Sequence, residues 1–159
     1  MSLFLSSFTN RIDAKGRVSV PATFRAATGA EQFQGVVLYR SFAGKCIEGL
    51  SMSRMEQIAN ATDNMNLFDE KLDELTAMLF ADARQLPFDV TGRIVLPPDL
   101  IAHAGIGCAA ASNADANVLF VGRGRSFQIW EPAAFAAHQS IALEKLKSEK
   151  PNLILNSKF

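Results

Sequence analysis

The sequence predicts an α+β fold made twice over. Two internal repeats, each running strand, hairpin, strand, helix, strand, strand, pair about a pseudo-twofold axis so that each lends its hairpin to the other's barrel, with helical inserts added. Three observations predict it. The stretch "NRIDAKGRVSVP" near the N-terminus is echoed by "PFDVTGRIVLPP", and aligning Asp13 with Asp89 also pairs Gly16 with Gly92, Arg17 with Arg93, Val18 with Ile94, Pro21 with Pro97 and Gly29 with Gly105. The same succession of element signals follows each copy. Finally, 159 residues is near the length of one domain, so both copies must share one compact body or form two very small ones, and small duplicated halves usually pair about an axis.

Taken in order, "SSFTNRID" sets Phe8, Asn10 and Ile12 against Thr9 and Arg11, the period of two of a half-buried strand, and "RVSV" continues it after a turn. Between them "DAKGR" carries Asp13 where a type I turn prefers an acceptor and Gly16 where a left-handed residue completes a bulged hairpin. Pro21 fits the first turn of a helix, and "PATFRAAT" ends at Gly29 as a short helix with a glycine stop. Strands "GVVLYR" and "KCIEGL" close the first half. The second obeys the same grammar: "ARQLPFD", the turn "VTG", "RIVL", Pro97 and Pro98, the helix "PDLIAHA" stopped by Gly105, then "NVLFVG" and "SFQIWE".

The connecting stretch differs in kind. A helix is expected over "MSRMEQIA", and in "LFDEKLDELTAMLF" Phe68, Leu72, Leu75 and Leu79 recur at amphipathic-helix spacing with Asp69, Glu70, Asp73 and Glu74 on the rest. "PAAFAAHQSIALEKLKSE" makes a further helix, and "KPNLILNSKF" reads as a tail. The chain thus divides into a first repeat at 7–54, a helical linker at 55–82, a second repeat at 83–134, and a C-terminal helix and tail at 135–159.

Composition bounds the function. Sixteen basic and sixteen acidic side chains cancel, so no bulk basicity points to nucleic acid or membrane. The neutrality conceals a pattern: residues 1–45 have a balance of +4 and residues 46–83 one of −6. Cys46 and Cys108 lack metal-type spacing and read as buried thiols of a reducing compartment. "MSLFLSSF" lacks the pattern of a signal peptide and no apolar run approaches 18 residues, so a soluble cytoplasmic protein is expected. No cofactor or metal motif is present: His103 and His138 lie far apart without ligand spacing and read as core or surface residues.

Two Asp-x-x-x-Arg hairpins, "DAKGR" and "DVTGR", each followed by an apolar strand and a proline, together with "FQIWE" near the end, resemble the MraZ family over residues 7 to about 134. That family is a duplicated version of the swapped-hairpin β-barrel of the AbrB and SpoVT regulators. The resemblance implies a nucleoid-associated transcriptional regulator, a repressor, that binds double-stranded DNA at short direct repeats upstream of the division and cell-wall gene cluster, as a homo-oligomeric ring larger than a dimer.

The residues carry chemistry of their own. A tip with Lys15 and Arg17 presents a point charge and a planar donor fork on a two-stranded ribbon, a shape that fits the major groove. Arginine can grip two phosphate oxygens or a guanine edge, whereas lysine mainly positions. The expected DNA-contacting set is therefore Arg17, Lys15, Arg93 and Arg11. Asp13 and Asp89, with Gly16 and Gly92, are expected to organise the turns by accepting backbone N–H bonds, and Asp13 to orient Arg17. Thr91 replaces Lys15 in the second copy, which weakens that tip's electrostatic grip.

Structural alternatives stand beside these readings. Arg17 and Arg93 could be salt-bridged residues of the barrel, "GRGRS" with Arg123 and Arg125 reads as a glycine-rich strand connection before a minor-groove arm, and the acidic helix face is either solvated or intersubunit. Catalysis is not expected. Asp13 and Asp89 are equivalent carboxylates and "DVTG" resembles an aspartic protease signature, but Lys15 stands where the first copy would need a small hydroxyl residue, and phosphate loops, nucleophile elbows and zinc motifs are absent. The remaining alternative is an antitoxin-like regulator that uses the same barrel to neutralise a partner toxin.

Overall fold

The computed structural model describes residues 3–107 and 116–149, so Cys108 and the tail after Glu149 lie outside the described residues. The first repeat contributes β1 (Ser7–Ile12), β2 (Arg17–Ser19), α1 (Ala22–Ala27), β3 (Gly35–Arg40) and β4 (Ile47–Leu50). Two helices follow, α2 (Met52–Asp63) and α3 (Glu70–Leu79). The second repeat supplies β5 (Arg84–Pro87), β6 (Arg93–Val95), α4 (Pro98–Ala104), β7 (Ala116–Gly122) and β8 (Phe127–Trp130), and α5 (Pro132–Glu149) ends the described chain.

All eight strands form one antiparallel sheet in the order β5-β3-β4-β8-β7-β1-β2-β6. Its two edge strands, β5 and β6, are joined by the second hairpin, where the Asp89 N–H donates to the Arg93 carbonyl at 2.8 Å, so the sheet is a nearly closed barrel. The exchange of hairpins is literal. β1 pairs along its length with β7, from Ser7 opposite Val121 to Ile12 opposite Ala116, while β5 pairs with β3, from Gly35 opposite Pro87 to Leu38 opposite Arg84. β2 and β6 pair with each other about Val18 and Ile94, equivalent residues of the two repeats, so the pseudo-twofold axis passes between them.

The inward side of every strand meets in one core, which includes Val18, Val20, Ile94 and Leu96 from the hairpin strands. Phe24 of α1 and its counterpart Leu100 of α4 are fully buried in it. Phe24 lies edge-on to Phe4 and Phe8, with centroids at 5.3 and 5.5 Å, a favoured geometry for aromatic pairs. On the outer face, α2 and α3 cover Val37 and Leu50 with Met55 and Leu79, and the start of α5 packs Phe135 on Trp130.

Local chemistry places the elements as expected, with two corrections. Pro21 and Pro97 stand one residue before their helices at the N-cap, with extended ψ of 140° and 142°, and the prolyl residue inside a first turn is Pro98. Phe68 does not belong to the apolar stripe: the Asp69 carboxylate accepts from the Lys71 N–H and starts α3 at Glu70, leaving Phe68 92 % exposed. Leu79 is buried, and Leu72 and Leu75 are half-buried. Gly105 ends α4 in the left-handed conformation, φ 67°, and Cys46 is buried.

Candidate nucleic-acid interface

Both hairpin tips are built around an aspartate. In the first, Asp13 Oδ1 accepts from the backbone N–H groups of Lys15 and Arg17, each at 2.9 Å, and Oδ2 accepts from Arg17 Nε at 2.6 Å. In the second, Asp89 Oδ1 accepts from the N–H groups of Thr91 and Arg93 at 2.9 Å and Oδ2 accepts from Arg93 Nε at 2.9 Å. Gly16 and Gly92 close the turns at φ 83° and 80°, in the region that side-chain-bearing residues rarely adopt. Four residues thus make a clamp: the turn holds the aspartate, and the aspartate holds the arginine by one edge. The terminal nitrogens of both arginines make no hydrogen bond among the described residues, and about two-fifths of each side chain is exposed.

The clamp fixes the ionisation of its acid. The Arg17 N–H, joined by the Arg17 side chain and the Lys15 N–H, holds the Asp13 carboxyl below the usual carboxylate range against some desolvation. Asp89 is pulled further, by the Arg93 N–H first and then by the Thr91 hydroxyl, which donates to Oδ1 at 2.8 Å. A proton-sharing pair of acids, one of which must be raised, is the opposite arrangement. The two aspartates instead sit at opposite ends of the β2–β6 pair, each neutralised within its own turn.

The two tips are locked together across the axis. The Val20 N–H donates to the Gly92 carbonyl at 3.1 Å and, symmetrically, the Leu96 N–H donates to the Gly16 carbonyl at 2.8 Å. A Cβ on Gly16 would lie 2.8 Å from the Leu96 carbonyl oxygen, whereas one on Gly92 would meet the end of the Arg25 side chain. Arg25, whose Nη1 donates to the Val20 carbonyl, packs beneath the second tip, and its counterpart Ile101 beneath the first.

Of the residues expected from sequence, Arg17 and Arg93 come together on the outward side of the β2–β6 ribbon, since Val18 and Ile94 between them point into the core. Lys15 is exposed at the first tip and makes no ion pair among the described residues. Arg11 is exposed on β1, and the register that pairs Ile12 with Val18 brings it opposite Ser19. Thr91 takes the place of Lys15 and turns its hydroxyl inward to Asp89. Sequence reasoning missed Ser19 and Val95, which share the outward face with the arginines; the period-two alternation of "RVS" and "RIV" is the signal that could have found them. "GRGRS" is a strand connection between β7 and β8, with Arg123 Nη1 donating to Gln128 Oε1 at 3.2 Å. His138 stacks on Trp130 at 4.7 Å, and His103 lies 3.2 Å from the Gly44 carbonyl. No helix of the described residues is long and apolar enough to cross a membrane.

Comparison with known proteins finds relatives of the sequence. A family model described as "MraZ protein, putative antitoxin-like" matches residues 79–154. A protein of Rickettsia peacockii (strain Rustic) named "Transcriptional regulator MraZ" is 38% identical over 157 residues, 99% of either chain. Its namesake from Rickettsia bellii (strain OSU 85-389) is 39% identical over 158 residues, again 99% of each. That of Rickettsia canadensis (strain McKiel) is 40% identical over 149 residues, 91% of this chain and 95% of the relative.

Proposed function

The chain belongs to the MraZ family of transcriptional regulators, and from that premise we propose that it binds double-stranded DNA through the outward face of its paired hairpins. One observation carries the reading: two matched aspartate clamps hold Arg17 and Arg93 by their Nε edges and leave their terminal nitrogens without a hydrogen bond among the described residues, on the outward side of one narrow ribbon. Arginine held this way has lost its rotamer freedom before binding, so less of the binding energy goes to ordering it. A two-stranded ribbon also fits a major groove about 12 Å wide.

In this reading the repeats spanning 7–54 and 83–134 form the DNA-binding body, Arg17 and Arg93 read or grip, and Lys15 and Arg11 position on phosphate. With no net charge, one subunit reaches few phosphates and holds DNA weakly at physiological salt. Several subunits on adjacent short direct repeats make each added interaction intramolecular, so the chain works as a ring-type homo-oligomer larger than a dimer. Apolar side chains left outside the core support an assembly role for the linker and α5: Leu67 and Phe68 are 82 % and 92 % exposed, and Ile141 67 %. The physiological role is repression of the division and cell-wall gene cluster, in the cytoplasm at the nucleoid.

Selection of bound duplexes from random DNA, followed by gel-shift titration of Arg17→Ala on the recovered site, tests the reading. Recovery of a repeated short motif and loss of its binding by a folded variant are expected; a folded Arg17→Ala that binds like the parent overturns it. The description "antitoxin-like" favours a second reading, in which the same barrel neutralises a toxin. A toxin partner that co-purifies with the chain and is displaced from no DNA would favour it.

A further inference from the structure

The pseudo-twofold face that carries the arginines is not symmetric in its chemistry. Register sets Val95 directly opposite Arg17 and Ser19 directly opposite Arg93, and directly opposed side chains on one face of an antiparallel pair stand roughly 4.5–5.5 Å apart at Cβ. Ser19 and Val95 are equivalent positions of the two repeats, and both point outward. Val95 is 55 % exposed. The differences around them run the same way. On the Ser19 side stands exposed Arg11, whose equivalent on the Val95 side is Pro87; the first tip bears Lys15, and the second Thr91 with Val90 fully exposed. The first hairpin therefore carries the basic and hydroxylic neighbours and the second the aliphatic ones, with one clamped arginine in each, and the antiparallel register sets each arginine beside the outward residue of the other hairpin.

We propose that Val95 is a specificity-determining residue that packs on the C5-methyl group of a thymine beside the base or phosphate taken by Arg17, while Ser19 occupies the matching place beside Arg93 without that preference. In the major groove the thymine methyl is the apolar mark of an A·T pair, and a small aliphatic side chain is its natural partner. A dimeric reader with equal halves matches a palindrome. This chain joins unequal halves covalently, so each subunit reads an element with a direction. Elements with a direction, placed in tandem, are direct repeats, and the divergence of Val95 from Ser19 supplies a cause for that arrangement. The inference rests on the DNA-binding reading above and adds to it a residue, a base feature and an orientation.

The test uses the full-length chain and the duplex recovered by selection, with each thymine replaced singly by deoxyuridine, which removes only the methyl group. Fluorescence anisotropy should show that the parent loses about fourfold in affinity per repeat at one particular thymine, the size of one buried methyl-sized group. Val95→Ala should lose a similar amount on the thymine duplex and show no further loss on the uracil duplex. Ser19→Val, which makes this one pair of equivalent exposed strand positions alike, should bind inverted repeats relatively better than the parent does. A parent that prefers a specific duplex but whose Val95→Ala variant binds it equally well, or loses equally on thymine and uracil DNA, overturns this inference alone. A parent that discriminates no duplex from random sequence overturns the DNA-binding reading and this inference with it.

Discussion

In the first hairpin Asp13 accepts three hydrogen bonds, from two backbone N–H groups and Arg17 Nε; in the second Asp89 accepts the same three and a fourth from Thr91 Oγ1. Gly16 and Gly92 take the same left-handed turn, and each tip receives one backbone hydrogen bond from the other repeat. The positions that share a skeleton are those where turn geometry leaves no choice: an acceptor, a glycine, a clamped arginine. Three pairs that differ in polarity or charge, Lys15 against Thr91, Ser19 against Val95 and Arg11 against Pro87, are exposed. Buried equivalents such as Val18 and Ile94 or Phe24 and Leu100 exchange one apolar side chain for another, whereas these exposed pairs change chemical character, which is what a binding surface of two unequal hairpins requires, because folding constrains the buried set and a partner constrains the exposed one.

Replacing the clamped arginines breaks the comparison hardest. Arg17→Ala should lower affinity for the selected site by about ten- to a hundredfold, the range of one good bidentate base interaction. Arg93→Ala should cost less, because its own tip carries Thr91, turned in to Asp89, where the first tip carries the exposed charge of Lys15. Gel-shift titration of both variants, checked for fold by circular dichroism, gives the ranking, and a larger loss at Arg93 reverses the roles assigned to the two halves.

The glycines sharpen the comparison at the level of stability. Either alanine substitution places a side chain at positive φ, which costs on the order of 1–3 kcal/mol. At Gly16 the new Cβ also meets a backbone carbonyl, that of Leu96, which cannot move without opening the β2–β6 seam; at Gly92 it meets the end of the Arg25 side chain, which can rotate away. Gly16→Ala should therefore lower the midpoint of urea unfolding more than Gly92→Ala does.

A smaller effect belongs to the tips' charge. Lys15→Ala should weaken binding to all duplexes about equally and make the slope of log affinity against log salt shallower by about 0.9 for each phosphate that an engaged subunit no longer neutralises. Thr91→Lys should steepen it by a similar amount. An unchanged slope in both would remove Lys15 from the interface.

The parts of this architecture legible in the sequence are those set by neighbours along the chain. The tips, the acceptor role of Asp13 and Asp89, the span of α4 and α5, and the glycine stop at Gly105 all follow from turn and cap chemistry within a few residues. Phe68 misled for the complementary reason: its spacing matched the stripe, but a cap one residue later decided where the helix begins. The facing of Val95 to Arg17, of Ser19 to Arg93 and of Arg25 to Gly92 depends on register between strands of different repeats, far apart in sequence, where no local signal reports it. The exchange of hairpins was legible only because the chain is duplicated.

Acid separates the two clamps most finely. Both aspartates have folded-state pKa values below the unfolded one, about 3.9 for aspartate, so each clamp is fully made above that value and is lost as pH falls through its own, lower folded value. Asp89 is held lower than Asp13, and the added cause is the Thr91 hydroxyl. The first hairpin should therefore release Arg17 at a higher pH than the second releases Arg93. Carboxyl carbon shifts followed by NMR through the acid range should give two midpoints, Asp13 above Asp89, with each arginine Nε–H signal lost in step with its own aspartate. The order is set by one hydroxyl, so it can be exchanged. Thr91→Val should raise the Asp89 midpoint towards that of Asp13, and Lys15→Thr, which offers Asp13 the same O–H donor, should lower the Asp13 midpoint. Midpoints that stay in place in both variants would show that the backbone N–H groups alone set the two acids, and the difference between the clamps would then lie outside the tips.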